Sequence, residues 1–353
     1  MRLCLTEHRA FVIPRAVPAA LPAVHTAPMA RVFVTRQVPG RAIERLQEAG
    51  HEPDVWPGEL PPGSALSDGL AGAAAALTMV VDRIAPDLLA ANPGLRIVAN
   101  MAVGYDNIDP AAAADLGVWV TNTPGVLAET TADQAFALLM AAARHIALSD
   151  RDTRAGGWRT WSPTAFLGND IHGATLGIVG LGDIGAALAR RATGFGMRLL
   201  HTSRTRKPDL ERDLGIERVP LDELLARADF VSLHTPLTPE TRGLIGAPEL
   251  ARMKPTAILV NTARGLVVDQ DALIAALREG RIGGAALDVT DPEPLPLDNP
   301  LYSFPNVVIT PHIASASHAT RARMAEMAAE NIIAVLAGRE PLNPVNRPAA
   351  PRA

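Results

Sequence analysis

Apolar residues in this chain come in short blocks, and the blocks alternate with stretches of helical period. The first block, Arg31-Val-Phe-Val-Thr35, is β-branched and aromatic at its centre and reads as a strand. A helical segment over 41–49 follows, closed by Gly50. Residues 74–79, 95–100 and 118–121 are further strands, with helical segments at 86–91 and 110–116 between them. One long helix is predicted over 129–148. It is apolar almost all round (Phe136, Leu138, Leu139, Met140, Ala142), as suits burial between domains or subunits. An irregular segment with Trp158 and Trp161 comes next. A second series of strands then runs through 175–179, 197–201, 230–234, 257–261, 284–288 and 307–310. Residues 319–338 form a last helix, with Met324, Met327, Ile332, Val335 and Leu336 repeating on its face.

Strands alternating with helices imply parallel sheets covered by helices. The fold class is therefore α/β. A Rossmann-type, doubly wound dinucleotide domain is expected over 127–318. A smaller, flavodoxin-like α/β substrate domain is expected over 29–126 and 319–346, discontinuous because the last helix crosses back. Residues 1–28, with Arg2, Arg9 and Arg15 against Glu7 and several prolines, read as a disordered extension.

Composition narrows the classes. The length of 353 residues fits two domains. A net charge of −4 offers no basic stripe, so no nucleic acid is expected as a partner. The uncharged run 69–81 is too short to span a membrane, and it reads as a helix end, a turn and a buried strand. Cys4 is the only cysteine, which excludes disulfides, thiolate metal sites and cysteine nucleophiles from the main body. No metal is expected, and a reducing, cytoplasmic setting fits.

Chemistry enters at Gly180-Leu181-Gly182-Asp183-Ile184-Gly185, a G-x-G-x-x-G that follows an apolar strand and opens a helix. In that position Gly180 permits a tight turn, Gly182 lets backbone approach a pyrophosphate, and Gly185 allows close helix–strand packing. The helix N-terminus offers its free N–H groups to the phosphates. An NAD site usually carries Asp or Glu near the end of the next strand. Here the window reads His201-Thr-Ser203-Arg204-Thr-Arg206-Lys207, and the first acid is Asp209. Hydroxyls and basic side chains suit a 2′-phosphate, so NADP(H) is favoured, with NAD(H) the alternative.

Three phrases downstream each place one reactive side chain after a strand. Arg264, in Asn261-Thr-Ala-Arg264-Gly265, can bind a carboxylate bidentately and reach the adjacent carbonyl. Glu293 lies between Pro292 and Pro294, and His312 follows Pro311. Histidine is suited to proton exchange near neutrality, and a neighbouring carboxylate stabilises an imidazolium. A lone arginine after a strand more often serves an ion pair, and a glutamate between prolines an exposed turn. Their company points instead to reduction of a 2-oxo acid.

With their order and intervals, these motifs resemble the D-2-hydroxyacid dehydrogenase family over about 30–345. The stretch from Asp288 to Pro296 and the basic loop are most similar to glyoxylate/hydroxypyruvate reductases. The resemblance implies that Arg264 binds and polarises the 2-oxo acid, that His312 is the general acid/base, and that Glu293 tunes it. It implies that backbone N–H groups around Val103 and Gly104 take the substrate carboxylate, and that Asp288 bonds the nicotinamide carboxamide. Thr131, His234, Pro236, Thr262, Ala263 and Ser315 would line the cofactor. A homodimer built on 125–170 follows, with Trp161 reaching the partner's active site. Other readings are a phosphoglycerate- or phosphonate-type dehydrogenase using NAD, or a dinucleotide-sensing corepressor-like binding protein.

Overall fold

The computed structural model describes residues 29–58 and 63–352; the expected extension 1–28 lies outside them. Two parallel sheets organise the chain. The first holds β1 (Arg31–Val34), β2 (Glu52–Val55), β3 (Ala75–Thr78), β4 (Ile97–Asn100) and β5 (Trp119–Thr121), in the order β2-β1-β3-β4-β5. The second holds β6 (Thr175–Val179), β7 (Arg198–Thr202), β8 (Glu217–Arg218), β9 (Phe230–Leu233), β10 (Ile258–Asn261), β11 (Gly284–Leu287) and β12 (Val307–Ile309). Its order is β12-β11-β10-β9-β6-β7-β8. The first order is the flavodoxin-like one. The second is the dinucleotide-binding one with a strand added, and it reverses between β6 and β9, where a crevice must open beyond the strand ends.

The central strands β3, β4, β6, β9, β10 and β11 are buried along their whole length, which explains their unbroken apolar runs. Fully burying each such Leu, Ile or Val contributes roughly 1.5–3 kcal/mol. Two strands have no counterpart in the hydrophobic pattern. In β2 the residues are Glu-Pro-Asp-Val, held in register by pairing with β1 and by an Arg31–Asp54 ion pair, and β8 is only Glu217–Arg218. Both are short polar edges, which discourage further strand addition and leave no apolar signal.

The helix expected over 129–148 is broken. It runs Ala128–Ala143, and a second helix, Ile146–Arg154, starts after His145 in a left-handed conformation (φ 51°). The cause is the segment returning from the irregular loop: the Asn169 N–H takes the Ala143 carbonyl at 2.8 Å. A side chain at Gly168 would stand 2.1 Å from that same oxygen. The Ala128–Ala143 helix packs on the helix Asp183–Thr193 and against β10 and β11.

The last helix, His318–Leu336, is capped by the Ser317 hydroxyl and packs on the helix Ala42–Glu48 and on β3 and β4, in the first sheet's core. The chain then returns along β5, where Val345 donates to the Val120 carbonyl and Asn346 bonds to residues 110, 118 and 120. Arg352 ends this run by donating to the Leu89, Asn92 and Leu95 carbonyls. Among the described residues, no helix is long and apolar enough to cross a membrane.

Candidate active site

The glycine loop lies between β6 and the helix Asp183–Thr193. Gly180 has φ +99°, and a Cβ there would stand 2.7 Å from the His234 carbonyl oxygen, so any side chain would collide with the neighbouring strand's exit. At Gly185 a Cβ would meet the Gly180 carbonyl at 2.2 Å, which only close helix–strand packing demands. Gly182 differs: nothing lies within 4 Å of its would-be Cβ. The loop is thus open only where a pyrophosphate would approach the helix N-terminus, whose first N–H groups have no intrahelical partner. Leu181 is buried, Asp183 is exposed and Ile184 packs beneath. A cavity of about 350 Å³ beside them is lined by Gly182, Asp183, Arg190 and Lys207 among others. Around the same crevice, Thr235 Oγ1, Thr262 Oγ1 and His234 Nδ1 are buried without a partner among the described residues. Burial holds the His234 imidazole down at about 4, so it is neutral, with Nε2 on the Ser232 hydroxyl at 2.8 Å. These open and orphaned groups fit a dinucleotide.

At the far end of the crevice, residues 204–207 are exposed and Ser203 is half-buried. Ser203 donates to the Thr205 carbonyl, and Arg218 holds the Ser203 carbonyl. Arg204 makes no ion pair among the described residues, whereas Arg206 gives its Nε to Glu211 at 3.0 Å. Desolvation raises the Glu211 carboxyl, but bonds from Arg206 and the Lys207 N–H outweigh it and leave it below the usual range.

The catalytic candidates follow three adjacent strands: Arg264 after β10, Glu293 after β11 and His312 after β12. Asn261 shapes the first turn, accepting from the Ala263 N–H at 3.0 Å and donating to the Arg264 carbonyl at 2.8 Å. Gly265 brings that turn against the next, since a Cβ there would stand 2.0 Å from the Thr290 carbonyl. The His312 Nδ1 lies 2.8 Å from Glu293 Oε2, and the other carboxylate oxygen takes the Thr290 N–H at 3.1 Å. Among the described residues, His312 Nε2 has no partner, so it is the nitrogen free to exchange a proton. His312 itself is left-handed (φ 52°), a conformation unusual for a residue with a side chain.

Asp288 holds that backbone. Its carboxylate accepts from the Thr310 hydroxyl (2.6 Å) and the Ile313 (2.9 Å) and Ala314 (2.8 Å) N–H groups, and its carbonyl takes the His312 N–H. Three donors leave room on a carboxylate for about one more, such as an amide. Gln134, from the Ala128–Ala143 helix, donates to Thr310, and Thr131 is buried on the same helix. Ser315 and Pro236 lie in the neighbouring loops, with their carbonyls bonded to Ser317 and Thr241.

From the first sheet, the loop after β4 faces this group. Asn122 ties down the Val103 carbonyl (2.8 Å) and Asn100 the Gly104 carbonyl (3.0 Å). The Val103 and Gly104 N–H groups have no acceptor among the described residues. Arg264 reaches the loop: its Nε donates to Asp106 at 2.9 Å, and a Cβ on Gly104 would stand 1.8 Å from its Nη2. Sequence reasoning missed Asp106, Asn100, Asn122 and Glu211. No local pattern marks Asp106, whose partner Arg264 lies 158 residues away. Trp158 and Trp161 do not join the site within one chain. They are 73% and 80% exposed, on an arm that also exposes Ile146, Phe166 and Leu167.

Comparison with known proteins places the chain among 2-hydroxyacid dehydrogenases. Residues 136–314 match the family model for the D-isomer specific 2-hydroxyacid dehydrogenase NAD-binding domain. The chain is 55% identical over 319 residues to a glyoxylate reductase of Korarchaeum cryptofilum, covering 90% of this chain and 96% of that protein. A crystal structure of a Thermus thermophilus protein superposes with a TM-score of 0.85 at 51% identity, covering 89% of this chain and 99% of the other. An NADPH-dependent glyoxylate/hydroxypyruvate reductase of Sinorhizobium meliloti, solved with NADP and malonate, gives 0.78 at 34% identity, covering 92% and 98%.

Proposed function

Since the chain belongs to the D-isomer specific 2-hydroxyacid dehydrogenase family, and is an oxidoreductase that uses a nicotinamide cofactor, we propose that it reduces glyoxylate to glycolate, or hydroxypyruvate to the D-2-hydroxy acid, with NADPH. The observation that carries this reading is the His312–Glu293 pair at 2.8 Å, set beside Arg264 at the ends of three adjacent strands. Val103 and Gly104 offer two free N–H groups to the substrate carboxylate. Arg264 stabilises the negative charge that grows on the C2 carbonyl oxygen. His312 Nε2 gives that oxygen a proton, while Glu293 fixes the imidazole by accepting its Nδ1–H and balances its charge. When bound, the dihydronicotinamide supplies the hydride that completes the alcohol. Gly182 and the helix N-terminus would hold its pyrophosphate, and Thr235, Thr262 and Asp288 would offer the remaining polar contacts.

NADPH is favoured over NADH by Ser203, Arg204 and Arg206 at the position where a ribose-binding acid is lacking. The Sinorhizobium relative's use of NADP supports the same choice. The exposed aromatic arm is the surface of a homodimer, and Trp161 lies on the part that reaches the partner's active site. A panel of glyoxylate, hydroxypyruvate and pyruvate with each cofactor tests the reading. The expected result is D-product from hydroxypyruvate and pyruvate, a larger kcat/KM with NADPH, and a dimer by light scattering. Absence of 2-oxo acid turnover, or a clear preference for NADH, overturns it.

A further inference from the structure

Arg264 and Asp106 come from opposite sheets, separated by 158 residues, yet they form an ion pair whose side chains are only 20% and 33% exposed. The pair involves one edge of the guanidinium. Nε donates to Asp106 Oδ1 at 2.9 Å, and Nη1 donates to the Ala263 carbonyl at 2.8 Å. Two anchors in one plane remove the rotation that a free arginine head would retain. Among the described residues, Nη2 has no acceptor, and it lies against Gly104, where a Cβ would stand 1.8 Å from it. The guanidinium therefore stands in one orientation, with its remaining donors left for a ligand.

The loop that supplies Asp106 also supplies the free N–H groups of Val103 and Gly104. Its own shape is fixed by Asn100, Asn107 and Asn122, which bond to Gly104, to Met79 and Asp82, and to Val103 respectively. A carboxylate-binding backbone and the group that must meet the adjacent carbonyl thus belong to different sheets, and Asp106 is the residue that joins them.

We infer that Asp106 is a positioning residue of the active site: it clasps Arg264 across the cleft, so that Nη2 faces the 2-oxo acid only when the two sheets are closed on each other. The inference rests on the role proposed above for Arg264. A purely structural ion pair would affect stability and leave the two residues independent in catalysis. A positioning pair acts through Arg264 and loses its effect once Arg264 is gone.

The test is a cycle of Asp106→Ala, Asp106→Asn and Arg264→Gln, singly and combined, in the full-length chain with glyoxylate and NADPH. Asp106→Ala is expected to lower kcat/KM for glyoxylate about 30-fold, because small misplacements of a transition-state group are costly. KM for NADPH and the melting temperature should stay unchanged. Asp106→Asn keeps an acceptor for the Nε–H and should recover most of the loss, to within about fivefold of the parent. In the Arg264→Gln background, Asp106→Ala should add less than about twofold. A full, multiplicative loss in that background overturns the inference, as does parental kinetics in Asp106→Ala. If Arg264→Gln is crippled while Asp106→Ala is not, Asp106 alone is wrongly assigned. If Arg264→Gln turns over normally, the role of Arg264 falls and that of Asp106 with it.

Discussion

The two ends of the cofactor crevice are built differently. At the catalytic end, each functional residue is anchored by a partner from another segment: Asp288 by three donors, the Val103 and Gly104 carbonyls by asparagines, Arg264 by Asp106, and His312 by Glu293. At the adenosine end, residues 204–207 are exposed, Arg204 makes no ion pair among the described residues, and Arg206 is held by one acid five residues away. The difference follows the chemistry. Charge development at a carbonyl is stabilised only by groups that need not reorganise, whereas a phosphate can be gripped by flexible cations. The catalytic end should therefore be intolerant of small changes, and the adenosine end should tune preference gradually.

The largest expected effect is at His312. His312→Gln removes the proton donor and should lower the single-turnover rate of reduction by about 10³–10⁴-fold, with NADPH binding unchanged. Gly104→Ala comes next. Its methyl would stand 1.8 Å from Arg264 Nη2, so the guanidinium must swing away. Steady-state kinetics should show roughly a 100-fold loss in kcat/KM. At the other end, Arg204→Ala with Arg206→Ala should raise KM for NADPH by about tenfold or more, as expected for lost charge-assisted bonds. Its kcat, and its kinetics with NADH, should hardly move. An equal loss of kcat would erase the contrast between the two ends.

The smallest effect on turnover concerns stability. Burial depresses the His234 imidazole from 6.5 to about 4, so the folded state prefers the neutral ring and the unfolded chain takes up the proton first. The resulting stability is complete above pH 6.5 and is lost as pH falls from 6.5 towards 4. Over that window the parent should lose on the order of 3 kcal/mol more than His234→Gln. Denaturant unfolding at several pH values measures the difference, and parallel curves would refute it.

The readable parts of the sequence were those in which function constrains neighbours in the chain. Gly180, Gly182 and Gly185 declare their turn by spacing, and the central strands declare burial by unbroken apolar runs. Arg264, Glu293 and His312 stand out because glycine or proline marks the turn that carries each. Other features arise from contacts distant in sequence. Asp106 looks like any loop acid until β4 and β10 bring it to Arg264. The break at His145 depends on Asn169 reaching Ala143, and β2 and β8 are edges defined only by their partners. Glu211 was local enough to find, yet nothing in its neighbourhood told a helix-start acid from a clamp on Arg206.

The most direct test is a crystal structure of the ternary complex with NADPH and oxamate, a stable analogue of a 2-oxo acid. The oxamate carboxylate is expected on the Val103 and Gly104 N–H groups, with its C2 oxygen between Arg264 and His312 Nε2. The 2′-phosphate should lie among Ser203, Arg204 and Arg206. Oxamate bound away from His312, or with no contact to the loop at Gly104, would contradict it.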